Sequence, residues 1–355
     1  MPLVDLCLTS SASPAGDLTV RLGEPLLDAY LDFVAARCRP NTVLATAFDL
    51  KVFFAVVGKP PAEVSPADVL GFVTAQRAGT DTSARLAVVG EDTSGKSTRT
   101  VRRRLSSVSG LYGFLQARGD VAANPVPRGL PTRRERSRPR QGVPLLRSPR
   151  TLPTILSPEQ VDALTAALRT CRDRAMVAAM VLGALRRCEV LGLRLTDLRF
   201  AERKVFIAEG KGGHQRLVPV SSRFFAVVRD YLELERPPET ATEKVFVVLK
   251  GPRRGQPLSA SGVDEILDGA RCRAGLEKAT CHQLRHTCLT RLREAGMALE
   301  AIQAQAGHAS IESTRIYLHL GDDWLAGQYR RAAEAIDAQA LPAHPAAVPT
   351  LRSTR

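Results

Sequence analysis

A segment near the middle of this 355-residue chain constrains its fold more than any other feature. Residues 121–152 contain six prolines and eight arginines. Because proline fixes its own φ and has no amide hydrogen to donate, such a segment is typical of an extended connector. The regions on either side, 22–120 and 153–338, each have the length of one domain. The sequence therefore predicts two domains joined by an Arg/Pro-rich linker, with a flexible leader at 1–21 and a disordered tail at 339–355.

The first region has the apolar periodicity of a small all-helical domain. Between Glu24 and Cys38 apolar residues recur at helical spacing, and Asn41 or Thr42 can cap a second helix. A third helix is predicted to begin at Pro66, because proline is favoured at the first helical position. The four predicted helices span 24–38, 41–57, 66–79 and 98–117.

The second region combines helices with a small antiparallel sheet. Ser157 and Gln160 form a capping box at its start, and β-rich runs at 204–208 and 215–220 flank a turn that carries Lys211. A third β-rich run covers 245–249. The predicted helices are 158–169, 172–183, 187–193, 222–234, 259–274, 280–295, 299–306, 310–319 and 322–338. The fold class that follows is mainly α (α+β).

Most of the net charge of +14 lies in one part of the chain. Residues 99–150 contain thirteen arginines against Asp120 and Glu135, a local charge of +11. The guanidinium group suits bidentate contact with phosphate, so we expect a nucleic-acid partner; a solvated linker from a GC-rich genome is the alternative. The first three arginines would share one helix face. The candidate DNA contacts are Arg99, Arg102, Arg103, Arg133, Arg134 and Arg136.

Neither a membrane nor a secreted setting fits the sequence. The longest apolar stretch, 175–185, is well short of the roughly 20 residues that a bilayer requires. The N-terminus lacks the layout of a signal peptide. The seven cysteines are scattered and odd in number. We therefore expect a cytoplasmic protein with reduced thiols.

Four of the six histidines fall close together near the C-terminus. His282 and His286 stand four residues apart, as in a zinc-binding helix, but Gln283 replaces the catalytic glutamate of that motif and Arg285 would repel a cation on the same face. We therefore predict no metal. Core histidines without chemistry are a second alternative. The cluster comprises His282, Arg285, His286, His308, Tyr317 and His319.

Short motifs in this cluster and upstream of it occur in a recognisable order. His-x-x-Arg-His at 282–286, Gly-His at 307–308 and a tyrosine at 317 resemble the C-terminal signature of the tyrosine recombinases, the phage integrase family. Residues 185–193 resemble the family's first arginine box, and 210–219 resemble its lysine-bearing hairpin. The helices of the first region are similar to the family's SAM-like core-binding domain. The sequence departs from the family at Ala184, where glycine is common, at Cys188, where serine is common, and at Gln305-Ala306, where leucine usually precedes Gly-His.

The resemblance implies a site, an activity and a partner. The six implied catalytic residues are Arg186, Lys211, His282, Arg285, His308 and Tyr317. The implied enzyme is a site-specific recombinase that binds double-stranded DNA and needs no cofactor, metal ion or ATP. It would act as a tetramer through a 3′-phosphotyrosine intermediate and a Holliday junction. The alternatives are a nicking-closing enzyme like the type IB topoisomerases, and a catalytically silent DNA-binding protein of the same fold.

These residue types suit phosphoryl transfer. Two guanidinium groups offset the negative charge of a phosphodiester and stabilise its transition state. The phenol of Tyr317 has an ordinary pKa of about 10, so its attack requires a base, for which His308 or His282 is available. Lys211 would protonate the leaving 5′-oxygen.

Two further features each have two interpretations. Glu189 follows Arg186 by three residues, so it either orients neighbouring basic side chains or forms a plain surface ion pair. In this family a helix like 322–338 docks on the neighbouring protomer, and the alternative is that it packs on its own domain.

Overall fold

The structure is a computed structural model of this chain. It describes residues 6–12, 18–78, 95–127, 146, 154–210, 215–308, 314, 329–330, 333–334 and 336. The chain divides between Arg150 and Thr151 into two compact units.

The N-terminal unit packs four helices against a short hairpin. Strands β1 (Thr9–Ala12) and β2 (Leu18–Arg21) are antiparallel. A 3-10 turn at Pro61–Glu63 connects the second and third helices. The helices are α1 (Pro25–Ala35), α2 (Pro40–Val57), α3 (Pro66–Ala78) and α4 (Thr98–Arg118). Their inward faces form one core that includes Leu27, Leu31, Leu50, Phe53, Phe54, Phe72, Val108 and Tyr112.

The hairpin differs from the flexible leader predicted for 1–21. Val20 and Leu22 are buried, and β2 packs against α1 and α2. The carboxylate of Asp28 accepts hydrogen bonds from the amides of Leu22, at 2.6 Å, and Gly23, at 3.2 Å. The strands therefore depend on contacts with helices that follow them, which a pattern of four residues does not reveal.

Helix α2 is long and apolar enough to cross a membrane by length and composition alone. In the folded unit Leu50, Phe53 and Phe54 belong to the core. Asp49 is fully buried, and Arg103 of α4 donates a 2.8 Å hydrogen bond to its carboxylate. These are the contacts of a core helix in a folded domain.

The C-terminal unit is a helical body with a three-stranded antiparallel sheet, in the order β3-β4-β5. Its strands are β3 (Leu198–Arg199), β4 (Lys204–Ile207) and β5 (Arg216–Pro219). Its helices are α5 (Pro158–Ala166), α6 (Cys171–Gly183), α7 (Arg187–Gly192), α8 (Ser222–Leu234), α9 (Ala260–Arg273), α10 (Cys281–Glu294) and α11 (Leu299–Ala306). A 3-10 turn at Leu195–Asp197 precedes β3. The fold class is confirmed as mainly α with small antiparallel sheets.

Local signals agree with the structure at some positions and not at others. The capping box of Ser157 and Gln160 is confirmed. The run 245–249 makes an isolated bridge between Val247 and Pro257 rather than a strand. The amide of Val248 donates to the carbonyl of Gln256, but it is the amide of Gly255 that donates back to Val248, and this shift of one residue ends the ladder. The predicted helix 310–319 lies outside the described residues except for the turn at Thr314. The described residues of 322–338 are helical.

Candidate active site

Glu189 lies at the centre of a cluster of arginines. Its side chain has no solvent exposure. Arg186, immediately before α7, donates to it twice, from its backbone amide at 2.8 Å and from its guanidinium at 2.8 Å. Of the two interpretations that the sequence left open, the burial of Glu189 excludes a plain surface ion pair.

Arg216 of β5 binds the same carboxylate from the other side. Its two terminal nitrogens each donate a 2.9 Å hydrogen bond, one to each oxygen of Glu189. Its Nε donates to the carbonyl of Gln305 at 3.4 Å. Arg216 is not among the predicted site residues. The available signal was its place in the quoted hairpin motif, five residues after Lys211.

The charges of these groups explain the ionisation of Glu189. Burial alone would raise the pKa of this carboxyl, but hydrogen bonds from Arg216 and the Arg186 amide, together with their charges, hold it below its usual value. Glu189 therefore stays ionised at neutral pH.

Arg285 joins the cluster from α10 and is buried. One of its terminal nitrogens lies 3.9 Å from Glu189 and donates to the carbonyl of Ala184; the other donates to the carbonyl of Ala306 at 2.6 Å. Ala184 has a φ of +57°, which accounts for the glycine common at this position. This left-handed residue ends α6 and aims its carbonyl at Arg285.

His308 completes the described part of the site. Its Nε2 lies 3.3 Å from the Arg285 guanidinium, and its Nδ1 lies 2.9 Å from the hydroxyl of Thr314. Arg186 donates to the carbonyl of the preceding residue, Gly307, at 3.1 Å. Burial first, and then the charges of Arg285 and Arg186, lower the pKa of His308 to about 4. The imidazole is therefore neutral at pH 7.

The structure places His282 beside a different partner. It lies on the first turn of α10, and its Nε2 is 2.8 Å from that of His286. Burial lowers the pKa of His286 to about 4, with smaller contributions from His282 and Arg285. Within the described ranges, no group of three or more His, Cys, Asp or Glu side chains could hold a metal ion.

Two of the six predicted catalytic residues, Lys211 and Tyr317, lie outside the described residues. The strands that flank Lys211 are described, and β4 pairs with β5 from Lys204 opposite Pro219 to Ile207 opposite Arg216. The structure therefore brings together Arg186, Arg285 and His308, and leaves the positions of Lys211 and Tyr317 as predictions.

A departure from the family pattern has a structural role. The side chain of Gln305, where leucine is usual, is buried, and its amide nitrogen donates to the carbonyls of Gly183 and Pro219, both at 3.1 Å. These bonds connect α11 to the end of α6 and the end of β5.

The candidate DNA contacts are only partly described. Arg99 and Arg102 are exposed on α4. Arg103 is also exposed, but its guanidinium binds Asp49 with two 2.8 Å contacts, so it has a structural role within the N-terminal unit. Arg133, Arg134 and Arg136 lie outside the described residues.

Comparison with known proteins agrees with this geometry. Residues 154–323 match the model of the phage integrase family. The chain is 31% identical to the tyrosine recombinase XerD of Lacticaseibacillus casei over 245 residues, which cover 66% of this chain and 77% of that protein. The chain belongs to the tyrosine recombinase family. A tyrosine recombinase of Thermosipho africanus is 27% identical over 84% of this chain and 96% of its own length.

A solved structure extends the likeness of this recombinase to both units. The Tn1549 transposon integrase, solved in complex with transposon right end DNA, superposes with a TM-score of 0.61 at 18% identity. The match covers 87% of this chain and 99% of that one, so the two proteins share a fold.

Proposed function

We propose that this recombinase cleaves and rejoins double-stranded DNA at a specific site through a covalent 3′-phosphotyrosine on Tyr317. The observation that carries the proposal is the cluster around Glu189. Among the described residues, the guanidinium groups of Arg186, Arg216 and Arg285 converge on the single carboxylate of Glu189, so these four side chains together have a net positive charge. A phosphodiester has one negative charge, and more develops in its transition state, which this excess would stabilise.

Arg186 and Arg285 are the guanidinium groups that would bind the non-bridging oxygens. Both are already held in place by Glu189 and by backbone carbonyls, so little reorganisation is needed when DNA binds. Arg216 has both terminal nitrogens on Glu189, so its role is to hold the carboxylate.

The reaction then follows from the residue types. A bond forms between the Tyr317 Oη and phosphorus while the bond from phosphorus to the 5′-oxygen breaks. The phenolic proton passes to a histidine, and Lys211 gives a proton to the departing 5′-oxygen. The reverse reaction, with the 5′-hydroxyl of another strand as nucleophile, rejoins DNA without ATP because the phosphotyrosyl bond conserves the bond energy.

Two such exchanges in a tetramer would form and resolve a Holliday junction. The relatives named above are tyrosine recombinases, and the Tn1549 integrase was solved with DNA, which supports DNA as the partner here. A DNA substrate and seven free cysteines suit a cytoplasmic location.

The test is covalent capture of DNA. The full chain is incubated with a library of nicked duplexes of random core sequence, in which a short 5′-hydroxyl fragment diffuses away after cleavage. We expect adducts that survive denaturing electrophoresis and share a sequence. The Tyr317→Phe variant should form none, and Tyr329→Phe, which alters the exposed tyrosine of the following segment, should form them normally. Adducts that persist in Tyr317→Phe would contradict the mechanism.

The stoichiometry on the captured sequence separates recombination from nicking-closing chemistry. A recombinase should place four chains on two duplexes, whereas an enzyme that acts like a type IB topoisomerase should act as a monomer on one. Absence of any adduct in the wild-type chain would favour a silent DNA-binding protein.

A further inference from the structure

The C-terminal end of α11 presents three successive backbone carbonyls to three arginines. The last carbonyls of a helix have no amide partner within that helix, and the negative end of the helix dipole favours positive charge there. The three hydrogen bonds are accepted, in chain order, by Gln305 from Nε of Arg216 at 3.4 Å, by Ala306 from Arg285 at 2.6 Å and by Gly307 from Arg186 at 3.1 Å. The end of α11 therefore helps to hold the arginine cluster in place.

The side chain of Gln305 connects this helix end to two other elements of the cluster. It is buried, and its amide nitrogen donates to the carbonyls of Gly183 and Pro219, both at 3.1 Å. Gly183 ends α6, and the next residue along the chain presents its carbonyl to Arg285. Pro219 ends β5, the strand that begins with Arg216. One amide group thus joins the three elements whose backbone or side chains contact the arginines.

Resting on the proposed recombinase function, we infer that Gln305 is a positioning residue for cleavage, because its amide holds the end of α11 where that end orients the arginines. The side chain acts through the backbone, since both hydrogens of its amide are used on Gly183 and Pro219 and none remains for a phosphate. Leucine, which is usual at this position in the family, has no hydrogen-bond donor. The bonds that join these three elements here are therefore specific to the glutamine.

The loss of these bonds should change the geometry of the site without changing its charge. Glutamine is neutral, so a neutral replacement leaves the net charge as it is. Guanidinium groups stabilise a transition state only when their donors lie about 3 Å from the oxygens on which charge develops, and a misplacement of about 1 Å can cost about a hundredfold in rate. A smaller shift of α11 should slow cleavage. It should have little effect on DNA affinity, which is spread over many phosphate contacts.

Two substitutions separate this role from a general loss of stability. Gln305→Met keeps an unbranched side chain of similar length and removes the donor. Gly296→Ala strains the turn that precedes α11, where Gly296 has a φ of +94° and its added Cβ would meet no atom within 4 Å. It should therefore destabilise the same unit without displacing the arginines. Gln305→Leu, which introduces the residue usual in the family, replaces the methionine variant if that variant fails to fold.

The first measurement reports on the arginines without DNA. In full-length protein labelled with ¹⁵N-arginine, a ¹⁵N–¹H correlation spectrum at pH 7 contains the Nε–H signals of Arg216 and Arg285. Each signal is identified by its absence when that arginine is replaced by lysine. In Gln305→Met we expect both signals to shift and to exchange faster with water, because their carbonyl acceptors have moved. In Gly296→Ala both signals should stay where they are in the wild type.

The second measurement is single-turnover cleavage of the captured nicked duplex at saturating protein. We expect Gln305→Met to cleave roughly tenfold more slowly, which is less than the roughly 10²–10³-fold cost of removing a preorganised donor itself. Its affinity for the uncleaved duplex of the same sequence should stay within about twofold of the wild type. Gly296→Ala should match the wild type in both rate and affinity.

Three results would overturn the inference. The first needs no variant: in wild-type protein labelled with ¹⁵N-glutamine, the side-chain amide of Gln305 would exchange with water as fast as that of the exposed Gln256. The second is a Gln305→Met variant with unchanged arginine signals or an unchanged cleavage rate. The third is an equal effect of Gly296→Ala. Failure of the wild-type chain to form any adduct would refute the proposed function alone, because the spectra are recorded without DNA.

Discussion

Arg216 donates one 2.9 Å hydrogen bond to each carboxylate oxygen of Glu189, which is fully buried in the C-terminal unit. Through this pair β5, the strand that follows Lys211, is attached to α7, the helix that begins directly after Arg186. The attachment suggests that Glu189 serves both the stability of the unit and the geometry of the reacting arginines.

Replacement of Glu189 by glutamine should therefore reduce stability strongly. It removes a buried negative charge that three guanidinium groups face, and loss of one partner from a buried ion pair typically costs about 3–5 kcal/mol. The free energy of unfolding in urea measures this effect. Glu202→Gln, at an exposed carboxylate between Arg199 and Lys204, is the control and should leave the urea midpoint unchanged. Equal stability of the two variants would refute the assignment.

Gly307 should be more sensitive to substitution than its backbone conformation alone requires. It has a φ of +60°, and an added Cβ would lie 2.8–3.0 Å from atoms of the Arg216 guanidinium. Gly296 has a φ of +94° but no atom within 4 Å of its added Cβ. Gly296→Ala should cost about 1–2 kcal/mol through the left-handed conformation, and leave cleavage intact.

Gly307→Ala should show the same strain and, in addition, a loss of cleavage rate, because Arg216 must move from Glu189. Unfolding in urea and single-turnover cleavage separate the two effects. If both alanine variants cleave at the wild-type rate, the contact with Arg216 has no functional consequence.

The pH dependence of stability should report the buried histidines. In the folded chain the pKa of His308 and that of His286 are about 4, against 6.5 for an unperturbed histidine. Between pH 6.5 and 4 the unfolded chain binds protons that the folded chain does not, so the free energy of unfolding falls as the pH falls through this window. Urea unfolding at pH 7.5, 6.0 and 5.0 should show a decline that is shallower in His308→Asn. An unchanged slope in that variant would contradict the depressed pKa.

The exposed arginines of α4 give a separate prediction for DNA binding. If Arg99 and Arg102 each neutralise one phosphate, replacement of both by alanine should lower the slope of log affinity against log salt by about 1.8. Arg118→Ala removes a charge from the end of the same helix, where it pairs with Asp120, and should leave the slope unchanged. A double variant with the wild-type slope would remove this helix face from the DNA interface.

The sequence predicted those features that depend on neighbouring residues. The end of α2 at Gly58, which has a φ of +66°, and the capping box of Ser157 follow from residues within one helical turn. The Glu189–Arg216 pair joins residues 27 positions apart on a helix and a strand, so no local pattern contains it. Likewise, the structural role of Arg103 depends on Asp49, which is 54 residues earlier on another helix.

The candidate site was predictable to a similar extent. The sequence motifs selected Arg186, Arg285 and His308, and the fold brings these three side chains together. The same motifs contain His286 without distinguishing what it contacts. The partner of a ring nitrogen is set by tertiary packing, which the order of residues does not specify.

The identity of the covalently modified residue tests the central claim most directly. After nuclease and trypsin treatment of the adduct, cleavage after Arg315 and Arg330 should release a peptide of residues 316–330, which contains both Tyr317 and Tyr329. Fragmentation by mass spectrometry should place a nucleotide, linked through its 3′-phosphate, on Tyr317. A nucleotide on Tyr329, on any other residue, or linked through a 5′-phosphate would contradict the account.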